Sequence, residues 1–107
     1  MNNSKIIKNK NGIIIEEIKP GVFRATSETS KYIIEYDRNV CIGAASCAAI
    51  AAETFFMDEE NKAQLRLDTE NFDEDEIILA GAQSCPVFAI KIIKKDTGEV
   101  VFPVDLD

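Results

Sequence analysis

Cys41-Ile42-Gly43-Ala44-Ala45-Ser46-Cys47, read with the distant pair Cys85-Pro86, contains all 3 cysteines of a chain that has no histidine. Chemistry alone leaves several readings of three thiols open. Cysteine is among the most buried residue types, and all three could simply be small apolar core residues. Any two could form a disulfide, but the third would be stranded, and an odd count does not suit a disulfide framework. A structural zinc site normally takes four Cys or His ligands, which makes zinc a poor match to this composition.

The spacing adds a further reading. A bacterial iron–sulfur run sets its first three thiolates as C-x2-C-x2-C, with another in a C-P pair. Counted from Cys41, the second ligand position falls on Ala44 and the third on Cys47, so the outer two are in register and the middle one is missing. Two further segments belong with this run. One is Thr54-Phe55-Phe56-Met57-Asp58-Glu59-Glu60-Asn61-Lys62-Ala63, and the other is Ala82-x-x-Cys85-Pro86-Val87-x-Ala89-Ile90. With them the chain resembles, over roughly residues 32 to 103, the bacterial-type single-cluster ferredoxins of the three-cysteine kind.

That resemblance implies a one-electron transfer protein, not an enzyme, with its cluster held by Cys41, Cys47 and Cys85. In relatives that hold a four-iron cube, the position of Ala44 carries Cys or sometimes Asp. Three thiolates imply a cube lacking one corner, a [3Fe-4S] cluster. An alanine methyl has no lone pair, so a [4Fe-4S] cluster here would need water, hydroxide or a partner's ligand. The next cysteine of the usual run would fall on Ala51, which leaves nothing to build a second cluster.

The loop between the ligands has its own physical logic. Amides from Ile42 through Ser46 to Cys47 are expected to hydrogen-bond to sulfur and raise the potential, which such clusters tune by these contacts. Gly43 permits the positive φ that an inward-facing nest of N–H groups requires. Ala44 and Ala45 let the backbone approach the cluster, and Ile42, Ala44 and Val87 are expected to exclude water. Pro86 disfavours a helical predecessor and so ends a helix at Cys85.

Whole-chain properties narrow the class. At 107 residues, 46% hydrophobic and 29% charged, this is the composition of one soluble globular domain. The apolar run Ile13-Ile14-Ile15 is interrupted at once by Glu16-Glu17, too short for a signal-peptide core or a membrane span. A cytoplasmic location is expected, which also suits reduced thiols. Net charge is −7, from 12 basic and 19 acidic residues, a surface that repels nucleic acid. It would instead steer a monomer toward an oxidoreductase that offers a basic docking patch, at a rate that falls with salt. Acidic residues also serve plain solubility.

Taken in order, two units are expected, 1–31 and 32–107, in an α+β chain of ferredoxin-like β-α-β-β-α-β order with an N-terminal β-extension. Asn9-Lys10-Asn11-Gly12 signals a turn, Ile13 to Ile18 a strand, Pro20-Gly21 its end, and Val22 to Thr26 a further strand. This hairpin is expected to pair with or cover an edge of the main sheet, since its isoleucines are costly to leave in water. Tyr32 to Asp37 is the first core strand. A short alanine-rich helix follows over Ala44 to about Ala52, its free N–H groups facing the cluster. Thr54 to Met57 and Ala63 to Leu67 pair about the turn Asp58-Glu59-Glu60-Asn61.

Asp73 reads as the N-cap of a second helix, with Glu76 completing a capping box and Phe72 and Ile77 a hydrophobic staple. The acids of its first turn suit the helix dipole. Gly81 is costly in a helix, and close packing against the loop is its expected reason. Val87 to Ile93 and Val100 to Phe102 finish the chain. The resemblance implies that the first and last core strands pair, with both helices on one face.

Two other function classes fit parts of this pattern. An enzyme or sensor could use an open cluster corner beside Ala44 to bind a small molecule or a fourth metal, with iron uptake tracked by activity as its signature. A structural module could use the cluster, or no metal at all, merely to hold its fold, and it would exchange no electrons with a reductase. RNA-binding domains share the topology in outline, but no aromatic RNP stretch is present and the charge has the wrong sign.

Overall fold

The computed structural model describes residues 5–103, so the ends of the two expected units, 1–4 and 104–107, lie outside the described residues. β1 (Lys5–Lys8), β2 (Ile14–Lys19), β3 (Val22–Thr26) and β4 (Tyr32–Asp37) follow one another as antiparallel neighbours. Their β-branched content favours the extended chain. Asn9 closes the first turn through its own side chain, its Oδ1 accepting the Asn11 and Ile13 amides at 3.0 and 2.9 Å. β3 pairs with β4 from Val22 opposite Asp37 to Ala25 opposite Ile34, so the N-terminal strands continue the sheet. The expected rescue of the isoleucines from water is partial: Ile13 and Ile15 are buried, while Ile6 and Ile7 on the edge strand are 65% and 52% exposed.

Beyond β4 come α1 (Ser46–Ile50), β5 (Phe55–Met57), β6 (Ala63–Leu65), α2 (Asp75–Gln83), β7 (Ile90–Lys94) and β8 (Val100–Phe102). Six strands form one sheet in the order β1-β2-β3-β4-β7-β8, and β5 and β6 form a separate hairpin. The molecule is therefore a strand-rich α+β domain with two helices and antiparallel sheets. Ile34 and Tyr36 of β4 and Ile90 and Ile92 of β7 face the helices and join Phe55, Ile78 and Ala82 in the core. Each such large apolar side chain contributes roughly 1.5–3 kcal/mol by leaving water. No helix among the described residues is long and apolar enough to cross a membrane.

Several boundaries differ from the sequence expectation. α1 starts later than Ala44 because Ala45 is left-handed at φ 68°, and its C-cap is Ala51. β6 stops at Leu65 rather than Leu67, and β7 begins at Ile90 rather than Val87 because Phe88 holds φ 54°, outside extended geometry. α2 ends at Gln83, with Ser84 rather than Cys85 as its cap.

The expected capping box does not form. Glu74 is the N-cap of α2, without a side-chain cap bond. Asp73 Oδ2 instead accepts the Glu53 amide and the Thr54 hydroxyl, both at 2.9 Å. Thr54 is fully buried, and leaving its hydroxyl unpaired would cost about 1–3 kcal/mol, more than a typical cap at about 1 kcal/mol. Ile77, the expected staple partner of Phe72, remains exposed.

Candidate metal centre

The loop from Asp37 to Ala45 is irregular, and its shape is imposed from three sides. On the sheet side, the Arg38 amide donates to Gly21 O at 2.7 Å and the Val40 amide to Asp37 O at 3.2 Å. From the β5–β6 hairpin, Asp58 and Glu60 take the Arg38 guanidinium, the Asp58 contact being 2.7 Å. The guanidinium, followed by the Gln64 amide, holds the Asp58 carboxyl well below the usual carboxylate range. Lys62 Nζ then donates to the carbonyls of Arg38 and Cys41 at 3.0 and 3.1 Å. On the third side, Ser46 Oγ donates to Ser84 O at 3.2 Å and ties the start of α1 to the end of α2.

Gly43 has φ +76°, and a Cβ there would collide with the carbonyl and side chain of Asn61. Both reasons for glycine, handedness and close approach, apply at this position. Gly43→Ala is expected to destabilise the protein by at least about 1–2 kcal/mol through the left-handed backbone alone. Thermal unfolding should show a lower Tm and iron should be lost faster in air. A variant that melts and retains iron like the wild type would remove the close approach from this account.

These constraints bring Cys41, Cys47 and Cys85 onto one cleft, which Ile42, Ala44, Ala45, Ser46, Ala63 and Pro86 also line. Gly43 shapes the loop from behind rather than lining the cleft. Ile42 leaves 63% of its surface in water, so it shields the cleft less than the sequence suggests. Close packing at Gly81 is real: a Cβ there would sit 3.1 Å from Ala51 Cβ at the end of α1 and 3.5 Å from Cys47 O.

All three cysteines are free thiols, and their environments differ. Burial pushes the Cys47 thiol up to about 11, opposed by the Ala48 amide and reinforced by charge on Cys41 and Cys85. Cys41 is also pushed up by burial, but the Ala63 amide, the Tyr36 hydroxyl, the Gly43 amide and the Lys62 ammonium together bring its thiol below the ordinary value. The Ala89 amide donates to Cys85 Sγ at 3.3 Å. Three mutually repelling thiolates are at their most stable with positive charge between them, which iron supplies. Among the described residues, no three Cys, Asp or Glu side chains converge as ligands of one metal ion.

Residues 36–92, more than half of the chain, match the family model described as the 4Fe-4S single cluster domain of ferredoxin I. The chain belongs to this family. The matched segment opens at Tyr36 and closes at Ile92, and so contains the whole loop, both helices, the β5–β6 hairpin and Cys85. A ferredoxin-type iron–sulfur domain implies electron transfer, and it suggests a carrier rather than an enzyme.

Three contributors to the centre escape the sequence reading. Ala63 lies within the quoted ferredoxin segment and reaches the cleft because β6 folds back under the loop. Lys62 acts through tertiary contacts at a separation no local pattern reveals. Tyr36 carried a signal: the period of β4 puts it on the buried face with Ile34, at the strand end that feeds the loop.

Proposed function

We propose that this protein is a one-electron carrier with a single [3Fe-4S] cluster bound by Cys41, Cys47 and Cys85, and that β4 to β7 is its ferredoxin-like β-α-β-β-α-β unit. The observation that carries the cluster type is Ala44, which stands at the missing ligand position and lines the same cleft as the three thiols. The cluster supplies a one-electron couple. Around it the chain holds the ligands and tunes them: amides of Gly43, Ala63, Ala48 and Ala89 stabilise charge on sulfur, and Lys62 places a cation behind Cys41. Donation to sulfur favours the more negative, reduced state and raises the potential.

A reducing compartment such as the cytoplasm would keep the thiols available for iron. The net charge of −7 favours an oxidoreductase partner with a basic docking patch. The deciding experiment is electron paramagnetic resonance on anaerobically purified protein, oxidised and then reduced, with iron counted on the same sample. A [3Fe-4S] cluster has an odd electron when oxidised, so a signal in that state with three irons per chain is expected. A silent oxidised state that gains its signal on reduction would mean a fourth iron on a non-protein ligand and would favour the sensor reading. Protein that takes up no iron under reconstitution would overturn the proposal.

A further inference from the structure

Tyr36 is 1% exposed at the end of β4. Its Oη is the one buried side-chain oxygen or nitrogen among the described residues that makes no hydrogen bond. Native proteins rarely leave such a group unpaired, because an orphaned buried hydroxyl forfeits its contacts with water and gains nothing in return. The ring cannot swing away to find a partner. It lies between Phe23, stacked at 6.4 Å between centroids, and Phe55, edge-on at 6.5 Å.

The sulfur of Cys41 is the group this hydroxyl faces. Burial first, and then the Cys41 thiol, push the phenol far above its ordinary range, while the hydroxyl in turn helps stabilise a Cys41 thiolate. A phenol hydroxyl, with an ordinary pKa of about 10, is a hydrogen-bond donor at neutral pH. A thiol is a weak acceptor. A thiolate bound to iron is a strong one.

We propose that in the cluster-loaded protein Tyr36 Oη donates a hydrogen bond to the Cys41 thiolate and acts as a positioning residue that raises the reduction potential. The assignment rests on the cluster reading above. The donor is delivered from the sheet rather than from the ligand loop, and its position is fixed by aromatic packing. The sign follows from charge: reduction adds an electron shared by iron and sulfur, so a donor on sulfur strengthens on reduction and favours the reduced form.

The test compares wild type, Tyr36→Phe and protein carrying 3-fluorotyrosine at position 36, each reconstituted anaerobically. Iron is counted and the midpoint potential is measured by voltammetry on the same samples. Phenylalanine keeps the ring between Phe23 and Phe55 and removes only the donor. Its one-electron equilibrium should shift by about tenfold toward the oxidised form, a potential lower by about 59 mV, with iron content unchanged. The fluorinated ring is a stronger donor and should shift the potential upward. Without iron, Tyr36→Phe should melt no lower than wild type, because it deletes an unpaired hydroxyl; a purely structural tyrosine would behave the opposite way. Loaded variants that share the wild-type potential overturn this assignment and leave the cluster reading intact. Wild-type protein that takes up no cluster overturns both.

Discussion

Cys85→Ala is expected to leave a folded chain that retains essentially no iron. Cys41 lies on the loop and Cys47 in the first turn of α1, whereas Cys85 comes from just past the end of α2, where its amide is held by Ala82 O at 3.2 Å. Of the three cysteines it is the one contributed from the α2 side of the cleft. Without it two thiolates remain for three irons, and the third iron would have no ligand from the protein. The loss should be cooperative, because binding free energy at such a site is also the free energy that orders the loop. Asp37 to Ala45 has few backbone bonds of its own and relies on Lys62 and Arg38 for its shape. The fold itself should survive. Ile34, Ile78, Ile90 and Ile92 form the core without the Cys85 side chain, which is only half-buried. Its truncation should cost about 1 kcal/mol, an ordinary figure for a single substitution. Iron and sulfide per chain, with visible absorbance, provide the measurement, and circular dichroism checks the fold. Full iron content in Cys85→Ala would sink the ligand assignment.

The contrast between the two cysteine-bearing ends shows what the sequence can and cannot reveal. Tyr32 to Asp37 and Val22 to Thr26 are legible to the residue, because β-branched content and flanking turn residues are local signals. The placement of Cys41, Cys47 and Cys85 on one cleft is legible too, because a ligand run compresses tertiary information into fixed spacing. Where the reading fails, a distant partner has outbid a local preference. Asp73 looks like a cap but serves Glu53 and Thr54 across about twenty positions. Asp75 does lie in the first turn of α2, as expected of a dipole-satisfying acid, and its Oδ1 also accepts the Ser30 hydroxyl at 2.6 Å, which anchors the β3–β4 turn to α2. Phe88 and Ala45 take positive φ with side chains that do not advertise it, so strand and helix boundaries next to the cleft shift by two or three residues. Both lie beside the cysteines, where backbone strain is expected to concentrate. Lys62 shows the same limit: its importance lies in which carbonyls it meets, and that is decided by tertiary contact rather than by neighbours in the chain.

Ala44→Cys is expected to convert the centre to a stable four-iron cluster. The residue occupies the missing ligand position of the run and lines the cleft between the other ligands, so a thiol added there needs no change of register to reach a fourth iron. It also needs little rearrangement: Ala44 is exposed, its side chain supports no packing that cysteine would disturb, and the handedness of the loop is set by Gly43 and Ala45 on either side. Four thiolates then bear on the site, and the fourth iron no longer depends on water or hydroxide. Iron should rise from three to four per chain after anaerobic reconstitution. The paramagnetic signal should move from the oxidised to the reduced state, since the four-iron cube is silent when oxidised. Recovery of only three irons would place position 44 off the cluster corner and break the register on which the ligand set is counted. Four irons in both the wild type and the variant would instead show that the open corner is already filled by a non-protein ligand, and that Ala44 leaves room for exchange at that iron.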